Sequence, residues 1–158
     1  MKASRIYAIL FYLAIATTIV ITDFMTKQFA YSHCTQRVAL LPFLFCEVTI
    51  NRGISYGLLQ TDSPIFFSII TIIIALVTAF VLYHAYQRFL QHKSIIPELL
   101  IGAGSCANLL DRIFFGGVID FILISYGRWH FPIFNGADIC IVLGVFFLMY
   151  RVWRTNSL

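Results

Sequence analysis

Charge is scarce in this chain. Asp, Glu, Lys and Arg make up 11% of its 158 residues, against roughly 25% in soluble domains. Hydrophobic residues make up 60%, and mean hydropathy is +0.88. A small soluble protein cannot hide that much apolar surface, because its surface is large relative to its volume. The scarcity excludes an ordinary soluble domain and points to a polytopic membrane protein of one compact domain, residues 1–158. No run of Lys or Arg is interleaved with aromatics, and the net charge of +4 is scattered. No nucleic acid is expected as a partner.

Metal-binding spacing is also lacking. There is no Cys-x-x-Cys, and no His stands at a ligand interval from a cysteine, so no metal and no cofactor is expected. Cys106 and Cys140 sit in apolar runs and read as buried thiols. Cys34 and Cys46 share one non-membrane segment and can pair if that segment faces an oxidising compartment.

What is present is long uncharged runs. Residues 6–22 lack any charge and read as a first membrane span. A removed signal peptide competes, since Ala14-Ile-Ala16 resembles a cleavage site, but the apolar run continues past it. Residues 63–87 also lack Asp, Glu, Lys and Arg and give the clearest span, placed at 64–86, with Pro64 suited to its first turn. The third, 95–113, is weaker. Only 12 uncharged residues separate Glu98 from Asp111, a length that also suits a re-entrant segment. Gly102, Ala103, Gly104, Ser105 and Ala107 give it a small-residue face for close helix contact. The fourth span is 134–152. The predicted fold is therefore an all-α membrane protein with four transmembrane helices.

Residues 30–60 form the longest non-membrane segment. Residues 43–50 have the aromatic and β-branched bias of a strand, Asn51-Arg-Gly53 reads as a turn, and 54–57 as a return strand. A small β-cradle on the membrane surface, within about 38–60, is predicted between helices 1 and 2. Basic residues Lys2, Arg5, Arg88, Lys93, Arg151 and Arg154 place both termini on the cytoplasmic side.

This topology brings four carboxylates to one membrane face. Asp23 ends the first span, Asp111 the third, Asp138 begins the fourth, and Asp120 lies between the last two. Carboxylates near a bilayer are costly and mark function. Asp23 and Lys27 are spaced i, i+4 and can pair on a continuing helix; Asp111 and Arg112 are read as a second structural pair. Asp120 and Asp138 then lack cations. Two unpaired carboxylates held close share one proton. That is the state in which one takes a proton from water while the other donates to a scissile carbonyl. The bland alternative makes these residues interfacial caps, with Asn135 an N-cap and Asp138 favouring the helix dipole. A proton- or solute-translocating protein, and a structural assembly protein, are the other classes.

The chain resembles lipoprotein signal peptidase, the bacterial signal peptidase II family. The resemblance runs through Asp23-x-x-x-Lys27, Asn51-x-Gly53, Asn108-x-x-Asp111-Arg112, Gly116-x-Val118-x-Asp120-Phe121 and Phe134-Asn135-x-Ala137-Asp138. It implies a monomeric aspartic endopeptidase of the bacterial inner membrane, with its site near the periplasmic face. Its implied partners are membrane lipid and a diacylglyceryl-modified prolipoprotein, cut before the lipidated cysteine. By similarity Asp120 and Asp138 are catalytic, while Asn108, Arg112 and Asn135 shape the site. Asp23, Lys27, Asn51, Gly53 and Asp111 match supporting motifs. Ala107 departs from the pattern, standing where glycine is commoner. Tyr126 and Trp129 suit headgroup anchors of the outer loop.

Overall fold

The computed structural model describes residues 2–53 and 62–156. Among them are four helices and one antiparallel sheet. In chain order these are α1 (Lys2–His33), β1 (Val38–Leu41), β2 (Leu44–Asn51), α2 (Pro64–Leu90), α3 (Ile96–Phe115), β3 (Val118–Tyr126), β4 (Trp129–His130) and α4 (Gly136–Asn156). The helices α1, α2 and α4 are each long and apolar enough to cross a membrane. The polar member is α3, with Glu98, Asp111 and Arg112 in 20 residues.

The molecule is apolar outside and polar inside. Ile65, Phe80 and Trp153 are 75%, 70% and 67% exposed, whereas Lys27, Glu98 and Asn135 are fully buried. That inverts a soluble protein and suits a bundle whose ionisable groups must face its interior. At the centre α3 packs against α1, α2 and α4. The small-residue face does this work: Ala103 and Ala107 are buried, so alanine at 107 fits the close packing. A Cβ on Gly104 would lie 2.6 Å from the backbone oxygen of Ala137. Only glycine allows α4 to approach α3 so closely there.

Helix ends follow local chemistry. The side chain of Ser63 accepts from Phe66 N–H, and Pro64 occupies the first turn of α2, as expected. Gly116, with φ 68°, ends α3 in the left-handed conformation and turns the chain into β3. The helix α1 runs on past the apolar run to His33, placing Asp23 and Lys27 within it, on the continuing helix that their i, i+4 pairing needs. Beyond the apolar run, 23–33 contains no Gly or Pro to stop a helix.

The sheet also differs from expectation. Its order is β1-β2-β3-β4, so half of it comes from between α3 and α4, not only from between α1 and α2. The segment after Gly116 is rich in Val, Ile and Phe, and pairing with β2 turns it into a strand. The return strand expected at 54–57 lies outside the described residues. Thr49 stands opposite Asp120 and Asn51 opposite Val118. From Cys46 to Thr49, β2 advances three residues while β3 moves two, from Ile122 to Asp120. One extra residue therefore bulges on β2. Cys34, just past α1, forms a disulfide with Cys46 on β2, with Cα atoms 5.7 Å apart. It is buried with Ala30 against Val48 and Phe121.

A separate charged cluster ties the other end of the bundle. Glu98, in the first turn of α3, accepts from both terminal nitrogens of Arg151 on α4. Two groups of α2, Arg88 Nε at 3.4 Å and His84 Nδ1 at 3.2 Å, also face it.

Candidate active site

Lys27 anchors the polar centre beside the sheet. Its Nζ reaches Asp23 Oδ2 at 2.5 Å and Asp111 Oδ2 at 2.8 Å. It also donates to Asn108 Oδ1 at 2.9 Å. An ammonium has three donors, and all three are used. The carboxylates are held in turn by backbone. Asp23 Oδ1 accepts from Ala137 N–H at 2.8 Å, satisfying an orphan donor of the first turn of α4. Asp111 Oδ2 accepts from Ile119 N–H at 3.2 Å.

The Asp23–Lys27 pair is thus as expected, but the Asp111–Arg112 pair is not. Consecutive residues on a helix do not face each other. Asp111 turns to Lys27, while Arg112 Nη2 donates to Gly53 O. The guanidinium of Arg112 also lies 5.5 Å from the Phe67 ring centroid. Its Nη1 is buried and has no hydrogen-bond partner among the described residues.

Two asparagines join the remaining carboxylates. Asn108 Nδ2 donates to Asp138 Oδ1 at 2.9 Å. Asn135 Nδ2 donates to Asp120 Oδ1 at 2.6 Å and to Asn108 Oδ1 at 3.2 Å. Asn135 also caps α4. Its Oδ1 accepts from Asp138 N–H at 2.9 Å, and Asp138 Oδ2 accepts from Asn135 N–H at 3.2 Å. This is a reciprocal capping box with an aspartate in the acidic place. The cap reading of Asn135 and Asp138 is therefore correct as far as it goes, and it orients Asp138 as well. From the sheet, Asn51 Nδ2 donates to Asp120 Oδ2 at 2.9 Å. Asn51 Oδ1 accepts from Gly53 N–H at 2.9 Å, closing the turn whose carbonyl receives Arg112.

Among the described residues, no cation lies within salt-bridge distance of Asp120 or Asp138. Asp120 is 3% exposed. Burial pushes its carboxyl up to about 7; the hydrogen bond from Asn51 opposes this, the charge of Asp138 adds to it, and Asn135 and Lys27 oppose it. A carboxyl near 7 keeps its proton at neutral pH in a large share of molecules.

Both aspartates line one cavity of about 410 Å³, with Asn51, Asn108 and Arg112. Its other walls are apolar, among them Ile74, Phe131, Ile133 and Val142. The geometry thus unites all ten residues singled out in the sequence into one connected network. Sequence reasoning missed the aromatic wall from Phe131 and Phe134, whose segment pairs with Ile122 of β3. The Asn-x-x-Asp spacing of 135 and 138 was the available signal for the reciprocal cap.

Comparison with known proteins adds four findings. Residues 15–154 match the family described as signal peptidase (SPase) II. The chain is 35% identical over 142 residues to a lipoprotein signal peptidase of Wigglesworthia glossinidia brevipalpis, covering 87% of this chain and 90% of that one. To the lipoprotein signal peptidase of Aquifex aeolicus it is 36% identical, covering 92% and 87%. A solved bacterial membrane enzyme structure superposes with a TM-score of 0.75 at 25% identity, covering 92% of this chain and 89% of the other.

Proposed function

The chain belongs to the signal peptidase II family, and we propose that Asp120 and Asp138 are the carboxylates with which it hydrolyses a peptide bond. It is a membrane-bound aspartic peptidase that removes signal peptides from prolipoproteins. The transport reading falls away, because the matched relatives are peptidases.

The observation that carries the dyad is its setting. Two carboxylates without a salt-bridge cation share a cavity and are linked through Asn135 and Asn108. In the proposed reaction, Asp120 holds the shared proton and Asp138 is ionised. Asp138 takes a proton from water as the water oxygen attacks the scissile carbonyl carbon. Asp120 gives its proton to the carbonyl oxygen, forming a gem-diol. Asp138 then returns its proton to the amide nitrogen as the C–N bond breaks, and Asp120 recovers a proton from the gem-diol. The products are a signal-peptide carboxylic acid and a new amino terminus. Arg112, whose Nη1 has no partner among the described residues, receives a backbone carbonyl of the substrate. The apolar wall from Ile74 to Val142 receives the acyl chains of a diacylglyceryl-modified cysteine, and cleavage falls before that residue.

In this reading all four helices cross the bacterial inner membrane as one domain, spanning about 6–22, 64–86, 95–113 and 134–152. Both termini are cytoplasmic, and the β-cradle and dyad lie at the periplasmic face. The basic ends of α2 and α4 support that orientation. The enzyme acts as a monomer, and the exposed Tyr126 and Trp129 sit at headgroup level.

Asp120→Asn and Asp138→Asn are the test. Each is expected to lower kcat on a diacylglyceryl-modified prolipoprotein by about 10²–10⁴-fold, with helical content retained by circular dichroism. Wild-type turnover in either variant refutes the dyad.

A further inference from the structure

We propose that the Cys34–Cys46 disulfide is a positioning element of the active site, holding β2 against the end of α1 so that Asn51 reaches Asp120. The proposal rests on the reading of Asp120 as catalytic. It goes beyond it by giving a role to two residues far from any reacting atom.

The argument starts from where the bond lies. Cys34 closes the last turn of α1, its N–H donating to Ala30 O at 2.7 Å. Lys27 sits seven residues earlier, two turns along the same helix and on the same face. Cys46 lies five residues before Asn51 on β2. The disulfide therefore joins the helix that supplies Lys27 to the strand that supplies Asn51. These two residues serve the two carboxylates: Asn51 donates directly to Asp120, and Lys27 acts on Asp138 through Asn108.

The second point is the bulge. Between Cys46 and Thr49 the β2–β3 ladder is interrupted. A bulge bends the strand, and beyond it the ladder resumes with Thr49 opposite Asp120 and Asn51 opposite Val118. The disulfide pins the bulged end of β2 to α1 and so sets the bend with which this strand brings Asn51 to Asp120. It also packs on Phe121, the residue next to Asp120. One covalent link thus bears on both partners of the Asn51–Asp120 hydrogen bond. Cys34 and Cys46 are each 5% exposed, so the bond is built into the fold.

The readout is the protonation of Asp120. The charged groups acting on it are Asp138 from α4, Lys27 from α1 and Arg112 from α3; Asn51 and Asn135 are its neutral donors. A donor to a carboxylate favours the ionised form. Losing the Asn51 donor therefore moves the alkaline limb of the pH–rate profile upward.

The experiment uses the full chain in lipid nanodiscs with a synthetic prolipoprotein peptide bearing diacylglyceryl-cysteine. Three samples are compared: oxidised wild type, wild type reduced with dithiothreitol, and Cys34→Ala/Cys46→Ala. In the reduction, dithiothreitol gives up two electrons and two protons, closes to its cyclic disulfide and leaves two protein thiols. The reduced enzyme and the variant are expected to lose about tenfold in kcat/KM, the worth of one well-placed hydrogen bond. Their alkaline limb is expected to shift upward while helical content is retained. An unchanged kcat/KM and limb in both overturns the proposal, as does a loss of activity at an unchanged limb. If the variant does not fold, reduction of the wild type decides on the same two readings. Asp120→Asn in the oxidised enzyme separates the two ideas. If it is inactive, the dyad stands whatever reduction does; if it is active, the dyad itself fails.

Discussion

Lys27 carries a positive charge at a site closed to water, with three acceptors around its ammonium group. Removing one member of a buried ion cluster leaves the others uncompensated, at a cost of roughly 3–5 kcal/mol. Lys27→Met, of similar length, is therefore expected to lower the thermal unfolding temperature sharply and to abolish cleavage. Lys27→Arg is not expected to rescue it, because a planar fork cannot replace three converging bonds from one nitrogen. Differential scanning fluorimetry with a peptide-cleavage assay checks both. The pH dependence is set at the same scale. Asp120 has a carboxyl raised to about 7, so its proton is present below that pH and lost above it. As the proposed proton donor, it makes kcat/KM fall as pH rises through about 7. In acid the rate falls again once the base takes up a proton. A profile flat from pH 6 to 9 would assign the donor elsewhere. Residue identity was largely legible here: nine polar positions, with Gly53, stand out in a chain so poor in charge. Their pairing was less so. The i, i+4 spacing of Asp23 and Lys27 announced that pair, whereas the adjacency of Asp111 and Arg112 misled. Which face each side chain takes depends on distant partners, such as Lys27 and Asn108, 81 residues apart.

At the scale of elements, the site exists because α3 and α4 come unusually close. A Cβ at Gly104 would meet the Ala137 backbone oxygen at 2.6 Å, next to Asp138. Backbone cannot yield as a side chain can, so Gly104→Val is expected to push the first turn of α4 away. The stability cost is about 1–3 kcal/mol, as for other overpacked interiors. Activity should fall by more than stability does, because Asn108 and Asp138 lie on the two separated helices. Thermal unfolding and turnover measured on the same preparation distinguish these effects. Four helices could be read from uncharged runs and punctuation such as Pro64. The extent of α1 and the origin of half the sheet could not. Apolar runs report what lipid requires, and they fall silent once a helix leaves the hydrocarbon. Strand β3 was hidden for a related reason. Its Val- and Ile-rich run fits a strand or a buried helix end equally, and only pairing with β2 decides.

Seen as a whole, the molecule has a charged cluster at each end of α3, with opposite arrangements. Beside the sheet a buried lysine is ringed by carboxylates; at the far end a buried glutamate is ringed by Arg151, Arg88 and His84. The second cluster holds helices, and none of its ion pairs and hydrogen bonds described above reaches a residue named as lining the cavity. Glu98→Gln is expected to cost about 1–3 kcal/mol through its weakened charge-assisted bonds, with kcat per folded molecule nearly unchanged. Unfolding temperature and turnover would show that separation; a parallel collapse of kcat would link the far end to catalysis. The two clusters also bear on biogenesis. Its three charged residues make α3 a poor guest of bare lipid. Lys27 for its one end is synthesised earlier, on α1, and Arg88 for the other on α2, while Arg151 emerges last. In the proposed four-span topology, α3 enters the membrane against α1 and α2, which are made before it, and α4 completes the Glu98 cluster afterwards.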